Sequence, residues 1–441
     1  MTENEDAADD PSRKLARECV TAGIRAAEPA TVVAEHVSLD GTDLRVDGDR
    51  YDLSTYDDVF VVGGGNAAAT AASALEDVLG ERLTGGAVVT DNPVETERID
   101  VLAGDHPVPS ERGVENTRTV LETVASAGTD DLLIAIVTGG GSALLTAPTD
   151  GITLADLQKT TEELLTSGAS IDEINAVRKH CSDLKGGQLA ELAAPTPVLG
   201  FVFSDVVGNR LDVIASGPLT PDESTFADAL EVVEGYGVDV PEVVEKRLRR
   251  GDAGEYPETP GSGDAVFESV QQYVLADGNT ALRGAAEVAR DAGYEPMILS
   301  SRVRGEAAEV AKALVGIAEE CVATGTPLDA PAVLLSGGET TVTHDGDGVG
   351  GPNQEFALSA AIELGEDGVT VASVDTDGID GASDAAGAVV TRDTATPASE
   401  ARDVLRNHDV EGFLDARDAL FVTGPTGTNV NDLRLFVVAD K

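Results

Sequence analysis

The feature that most constrains this chain is a recurrence. Short β-branched runs each stop on Gly, Asp or Ser and give way to helical patterns. "DDVFVVGGG", "GGAVVTD", "DLLIAIVTGGG" and "TPVLGFVFSDV" follow one another in the first half. Runs of this kind bury both faces, and strand–helix alternation makes them a parallel sheet covered on both sides. The segment "RRGDAGEYPETPGSGDAVF" interrupts the rhythm with Gly, Pro and charge and reads as a linker. Beyond it the alternation resumes. "QQYVLADGN", "EPMILSS", "PAVLLSGGE", "VTVASVDTDG" and "ALFVTGPTGTN" read as strands, and "ALRGAAEVARDAG" and "NQEFALSAAIEL" as helices. The final "LRLFVVADK" reads as a closing strand, and "PSRKLARECVTAGIRAA" as a helix before the first lobe. With 441 residues, 41% of them hydrophobic, the chain can bury two such cores. The expectation is two α/β lobes with a ligand in the cleft between them.

Charge narrows the function classes. The formal net charge is −50, from 80 acidic and 30 basic residues, and the basic set holds 7 Lys against 23 Arg. Such a surface repels nucleic acid and anionic lipid, so neither is an expected partner. Excess acid, scarce Lys and low aromatic content suit a halophile's interior at high salt. Cys19, Cys181 and Cys321 lie far apart with no CxxC, which fits a reducing compartment and argues against structural zinc. There is no HExxH pair. The start "MTENEDAADDPS" has no apolar core of a signal peptide, and no apolar run approaches the ~20 residues of a membrane span. The expected location is the cytoplasm.

Glycine-rich turns carry the chemistry. Gly63, Gly65 and Ala68 match a GxGxxA dinucleotide pattern between a strand and a helix, with Asp91 as a candidate ribose ligand. A tight turn needed only for packing is the plainer alternative. Four more such turns follow: "TGGGSALL", "SGGETT", "GVGGPNQE" and "TGPTGTNVND". Glycine permits close backbone approach, so consecutive N–H groups can point at anionic oxygen. Several turns of this type suit a polyphosphate better than a single NAD. None is a Walker A motif. The stretch "INAVRKHCSDLKGGQLA" keeps Lys179 and Lys185 beside Arg178 in a chain that has shed almost all lysine. Those charges are expected to meet an anion, unless they merely bridge to nearby acids. Ser204 and Asp205 stand at a strand end, where orienting or metal-binding carboxylates occur. "VDTDGIDGASDAAG" carries Asp375, Asp377, Asp380 and Asp384 but fails the EF-hand register, leaving magnesium with phosphate or a solvated turn.

In this order the motifs resemble the type II glycerate kinases, whose C-terminal part is the MOFRL domain. The segments that carry the resemblance include "GDHPVPSERG", "VTGGGSALL", "SDVVGNRLDVIASGPLTPD", "LSGGETTVT", "GGPNQEFAL" and "TDGIDGASDAAGA", and they span nearly the whole chain. The resemblance implies a kinase that uses ATP and Mg2+ to phosphorylate D-glycerate, usually to 2-phosphoglycerate. It implies a Rossmann-like domain over residues 1–255 and a smaller MOFRL-type α/β domain over 265–441, with a homodimer as the assembly to test. Lys185, Arg178 and Asp205 are the candidate catalytic residues. Gly63, Gly64, Gly65, Asn66, Gly139, Gly140, Gly141, Ser142, Lys179, Gly424, Thr426, Thr428 and Asn429 are candidates for holding the nucleotide. Ser204, Asn353, Glu355 and Glu339 are candidates for the substrate, and Asp205 and Asp377 for the metal. The family pattern has Lys where this chain has Asn66 and Arg where it has Pro352. A paralogue with shifted substrate or lost activity therefore stays open, as does an NAD-dependent hydroxypyruvate reductase.

Overall fold

The computed structural model describes residues 10–343 and 348–440. The strands in chain order are β1 Val37–Asp40, β2 Asp43–Val46, β3 Asp49–Asp52, β4 Val59–Gly64, β5 Gly85–Thr90, β6 Ile99–Ala103, β7 Leu132–Thr138 and β8 Val198–Phe203. They continue as β9 Val270–Ala276, β10 Glu295–Glu306, β11 Ala332–Thr341, β12 Val369–Asp375, β13 Gly387–Thr391, β14 Leu420–Phe421 and β15 Asp432–Val438. The chain forms two compact units, one of residues 32–275 and one of residues 1–31 with 276–441. Both are α/β, as the alternation predicts.

In the unit 32–275 a six-stranded sheet runs in the order β6-β5-β4-β7-β8-β9, with β4 parallel to β5 and β7, and β7 parallel to β8. A three-stranded antiparallel sheet, β1-β2-β3, precedes it. Every residue of β7 and β8 is buried, which is why these strands read as unbroken apolar runs. The helix Glu111–Ser126 lays Val120 and Val124 against Ala87, Val89 and Leu133 of the sheet.

In the second unit the sheet order is β10-β11-β15-β12-β13-β14. Here β10 and β11 are parallel, but β15 lies antiparallel between β11 and β12. The last strand is therefore central, because each of its residues 432–438 is buried and needs covering on both faces. Helices Pro11–Ala26 and Gly278–Asp291 pack on one face through Leu15, Val20, Leu282 and Ala285 against Val333, Leu433 and Leu435. On the other face lie Ala307–Thr324 and Pro352–Glu363, with Phe356 against Phe436.

Two boundary expectations are corrected. The first helix joins the C-terminal unit, since Gly23 sits where any Cβ would lie 2.8 Å from the Ala281 carbonyl. The Gly/Pro-rich segment after Arg249 lies inside the first unit rather than at its end, because "QQYVLA" returns as edge strand β9 of the first sheet.

Candidate active site

The glycine turn after β4 is built for strand contact. Gly63 has φ +123, and a Cβ there would fall 2.0 Å from the Ile136 carbonyl of neighbouring β7. The N–H groups beyond it are spoken for. Gly65 donates to Val89 O at 3.0 Å, Asn66 to Gly139 O at 2.9 Å, and Ala67 to the Thr138 hydroxyl at 3.3 Å. Gly63, Gly64 and Gly65 thus hold β4 against its neighbours and offer no phosphate cradle, which corrects the dinucleotide-type expectation. The Asn66 amide donates to Asp91 at 2.8 Å, so Asp91 is engaged as well.

The loop after β7 differs. Gly140 adopts φ +74 and opens a single turn, Gly141–Leu144. Ala143 and Leu144 donate to Gly140 O, whereas among the described residues no acceptor meets the N–H groups of Gly140, Gly141 or Ser142. Gly139 lies so close to the Asp205 carboxylate that a Cβ would come 2.2 Å from its oxygen. The Ser142 hydroxyl meets Ser216 at 3.0 Å, and Ser216 donates to Asn175 at 3.1 Å. Ala215 and Ser216 both hold positive φ, 51 and 60. Two successive non-glycine residues in that region cost about 1–3 kcal/mol each and gather at functional sites. Sequence reading missed this pair, which lies within the family segment "IASGP".

Three cations of "INAVRKHCSDLKGGQLA" have three different fates. Lys179 is buried against Asp222, Nζ to Oδ1 3.0 Å. Burial alone would raise the Asp222 carboxyl, but Lys179 holds it below its ordinary value. Lys179 is therefore a structural partner and not a free phosphate ligand, a further correction. Lys185 donates to Ser142 O at 2.9 Å and Leu145 O at 2.8 Å, tying down the loop after β7. Burial first, then Arg178, lowers its ammonium to about 7. Arg178 is half-buried, and no carboxylate faces its guanidinium among the described residues. Arg178, Lys185, Ser182, Ser142 and Gly140 share one cavity of about 290 Å3 with His106 and an apolar wall. His106, from "GDHPVPSERG", is a lining residue not singled out from the sequence. Ser204 stays outside it, its hydroxyl held by Val206 at 3.2 Å.

The second unit places its candidates around a buried polar network. Asp380 accepts from the backbone of Asn353 at 2.9 Å and Gln354 at 2.8 Å, occupying the N-terminus of Pro352–Glu363. Pro352 suits the first position of that helix, where its missing N–H costs nothing. Asn353 donates to Asp432 at 2.7 Å and accepts from Ser373 at 2.6 Å. Asp432 also pairs with the fully buried Arg434. Glu355 is buried against His408 at 2.8 Å. Burial first, then Asp377 and Asp432, raises the Asp375 carboxyl well above its ordinary value. Asp377 accepts from Ile379 N at 2.8 Å.

In "TGPTGTNVND" the hydroxyls serve the main chain: Thr426 donates to Thr376 O at 2.7 Å and Thr428 to Ala27 O at 2.6 Å. The Asn429 side-chain amide oxygen accepts from Asn431 N at 2.9 Å, and Gly424 has φ +68. These residues brace the loop, so the hydroxyls expected to bind phosphate are already used. Glu339 lies exposed at the end of β11. Among the described residues no three His, Cys, Asp or Glu side chains gather as a metal-binding group, and no helix is long and apolar enough to cross a membrane.

Comparison with known proteins adds an independent line. Residues 15–249 match the family described as "Domain of unknown function (DUF4147)", and residues 332–432 match the MOFRL family. The chain is 39% identical over 431 residues to a D-glycerate 2-kinase of Thermotoga maritima, covering 96% of this chain and 97% of the relative. A protein of Agrobacterium vitis with hydroxypyruvate reductase in its name is 41% identical over 387 residues, 86% of each chain. A crystal structure of glycerate kinase from Thermotoga maritima superposes with a TM-score of 0.83 at 39% identity, over 97% of this chain and 99% of that one.

Proposed function

The chain belongs to the glycerate 2-kinase family, which joins a DUF4147 domain to a MOFRL domain, and from that premise we propose that it transfers a phosphoryl group from ATP to D-glycerate, giving 2-phosphoglycerate. The observation that carries this reading is Arg178, a guanidinium with no carboxylate partner, inside a cavity that also holds Lys185 and Ser142. Arg178 binds the substrate carboxylate through its planar fork. Lys185 gives two donors to Ser142 O and Leu145 O, keeps one for the anion, and so positions the loop whose Gly140 and Ser142 line the cavity. Phosphoryl transfer rests mainly on such positioning and on electrostatic stabilisation.

Magnesium fits as a companion of the nucleotide, because Mg2+ is commonly held by one or two carboxylates together with phosphates. Asp205, packed over Gly139 beside the free N–H groups, is the carboxylate of this chain best suited to hold it, with Asp377 as the candidate in the other unit. When bound, the ion neutralises phosphate charge. The acidic surface goes with activity at high salt in the cytoplasm, without nucleic-acid or membrane partners; a homodimer is the assembly to test.

The decisive experiment follows ADP release with ATP, Mg2+ and D-glycerate in molar KCl, and identifies the product by phosphorus NMR. Release of ADP with 2-phosphoglycerate supports the reading. No ADP release, together with NADH oxidation on hydroxypyruvate, replaces it with the reductase reading that the Agrobacterium vitis relative's name favours.

A further inference from the structure

The cavity around Arg178 has both charged and apolar lining. The charged lining includes Arg178 and Lys185, and Lys185 is only 4% exposed. The same cavity is lined by one stripe of the helix Leu154–Thr166: Leu157, Thr161 and Leu165 stand four residues apart and so share a face. Leu165 is 62% exposed, so its side chain stands at the mouth rather than in the core. The volume, about 290 Å3, is close to the lower end of the range for pockets that take drug-sized ligands, roughly 300–1,000 Å3. A three-carbon acid with a hydroxymethyl group leaves much of that space empty and places a polar group against leucine.

We propose that the face Leu157–Thr161–Leu165 is a specificity wall, and that the site takes 2-hydroxy acids whose substituent is longer and less polar than the hydroxymethyl of glycerate. This rests on the kinase reading above and ranks longer 2-hydroxy acids above D-glycerate at that same site. An acid entering carboxylate-first reaches Arg178 and Lys185 and leaves its hydroxyl toward the mouth. In the transfer, the bond from the terminal phosphorus of ATP to its bridging oxygen breaks and ADP leaves with the electron pair. A bond from that phosphorus to the C2 oxygen of the acid forms, and the hydroxyl proton passes to solvent.

The test is a series of purified acids, D-glycerate, 2-hydroxybutanoate, 2-hydroxypentanoate and 2-hydroxy-4-methylpentanoate, assayed for kcat/KM with ATP and for affinity by calorimetry without nucleotide. A methylene that reaches an apolar wall is worth about 10-fold or more in discrimination. The expected result is a kcat/KM that rises by about that factor along the series, with affinity following, and a Leu165→Asn variant in which the ratio of the longest acid to glycerate collapses. A flat or falling series, or an unchanged ratio in Leu165→Asn, overturns the proposal. The two readings fail separately. If no acid is phosphorylated the kinase reading falls, while the calorimetric ranking still reports on the wall. If glycerate alone binds and reacts, the wall falls and the kinase stands.

Discussion

Arg178 and Lys185 divide the labour of anion binding, and their chemistry makes the division measurable. With its ammonium lowered to about 7, Lys185 loses one proton near neutrality, yet a neutral amine keeps the two N–H groups that hold Ser142 O and Leu145 O. The loop therefore survives deprotonation while the charge does not. KM for the acid should rise as pH climbs through about 7, and the rise should vanish in Lys185→Met; a pH-independent KM in the parent protein refutes the assignment. The linked stability has a definite sign. The unfolded lysine titrates near ~10.4, so the native state binds fewer protons between about 7 and that value, and stability increases with pH across the window. Arg178→Ala should lower kcat/KM by at least ~100-fold, the loss of one charge-assisted donor worth ~2.7–4 kcal/mol, in a folded protein. Wild-type kinetics there would leave the site without its anchor. Retained lysine in an acidic chain was a legible signal for this region. Which lysine lines the cavity was not, because Asp222, the partner of Lys179, lies 43 residues away. The turn at Gly63–Gly65 misled for a similar reason: its glycines are visible in sequence, but the acceptors of its N–H groups belong to other strands.

Helix ends and loops in the second unit are governed by residues distant in sequence. Asp380 accepts both leading N–H groups of Pro352–Glu363, yet burial lifts its carboxyl to about 7 against those hydrogen bonds, which pull it down. Its folded value thus exceeds the unfolded ~3.9, so the stability this group contributes is complete below that pH and is lost as pH rises through about 7. Replacing it by Asn should flatten that part of the pH profile: the melting-temperature difference between Asp380→Asn and the parent should shift in favour of the variant from pH 5 to pH 8. An unchanged difference would place the native carboxyl in its ordinary range. Thr428 offers a second test, since its hydroxyl serves Ala27 O and brings the first helix onto the C-terminal unit. Thr428→Val should cost about 1–3 kcal/mol of stability, from the unmet buried carbonyl, with KM for ATP unchanged. A raised KM at full stability would return this loop to nucleotide binding. Element type was readable where strands are buried, because runs such as Leu132–Thr138 announce themselves as apolar, but the small antiparallel sheet of residues 37–52 was not singled out. Strand order in the second sheet was not. The antiparallel insertion of Asp432–Val438 between two earlier strands depends on pairing across the chain, which local pattern does not encode.

At the scale of the whole molecule, charge outweighs any single contact. With 80 acidic and 30 basic residues, most carboxylates have no basic side chain available to pair with. Several surface pairs are well formed, Arg210 with Asp172 at 2.8 Å and Arg250 with Glu255 at 2.7 Å among them. Exposed pairs contribute little each, about 0–1 kcal/mol, and salt weakens them. Repulsion among the excess acids responds to salt in the opposite direction. At about 0.01 M salt the Debye length is ~30 Å, comparable to a domain, so carboxylates repel across an entire unit; at about 1 M it is ~3 Å and only neighbours interact. The acids outnumber their partners, so the second effect governs and the protein should gain stability as KCl is added. The melting temperature is expected to climb between dilute buffer and about 1 M KCl, with cooperative unfolding blurred or absent at the dilute end. NaCl at equal ionic strength should give the same curve if screening is the cause. A curve steeper in KCl than in NaCl would instead require ion-specific binding by the carboxylates. A melting temperature independent of salt would mean that the −50 charge is spread widely enough to cost nothing.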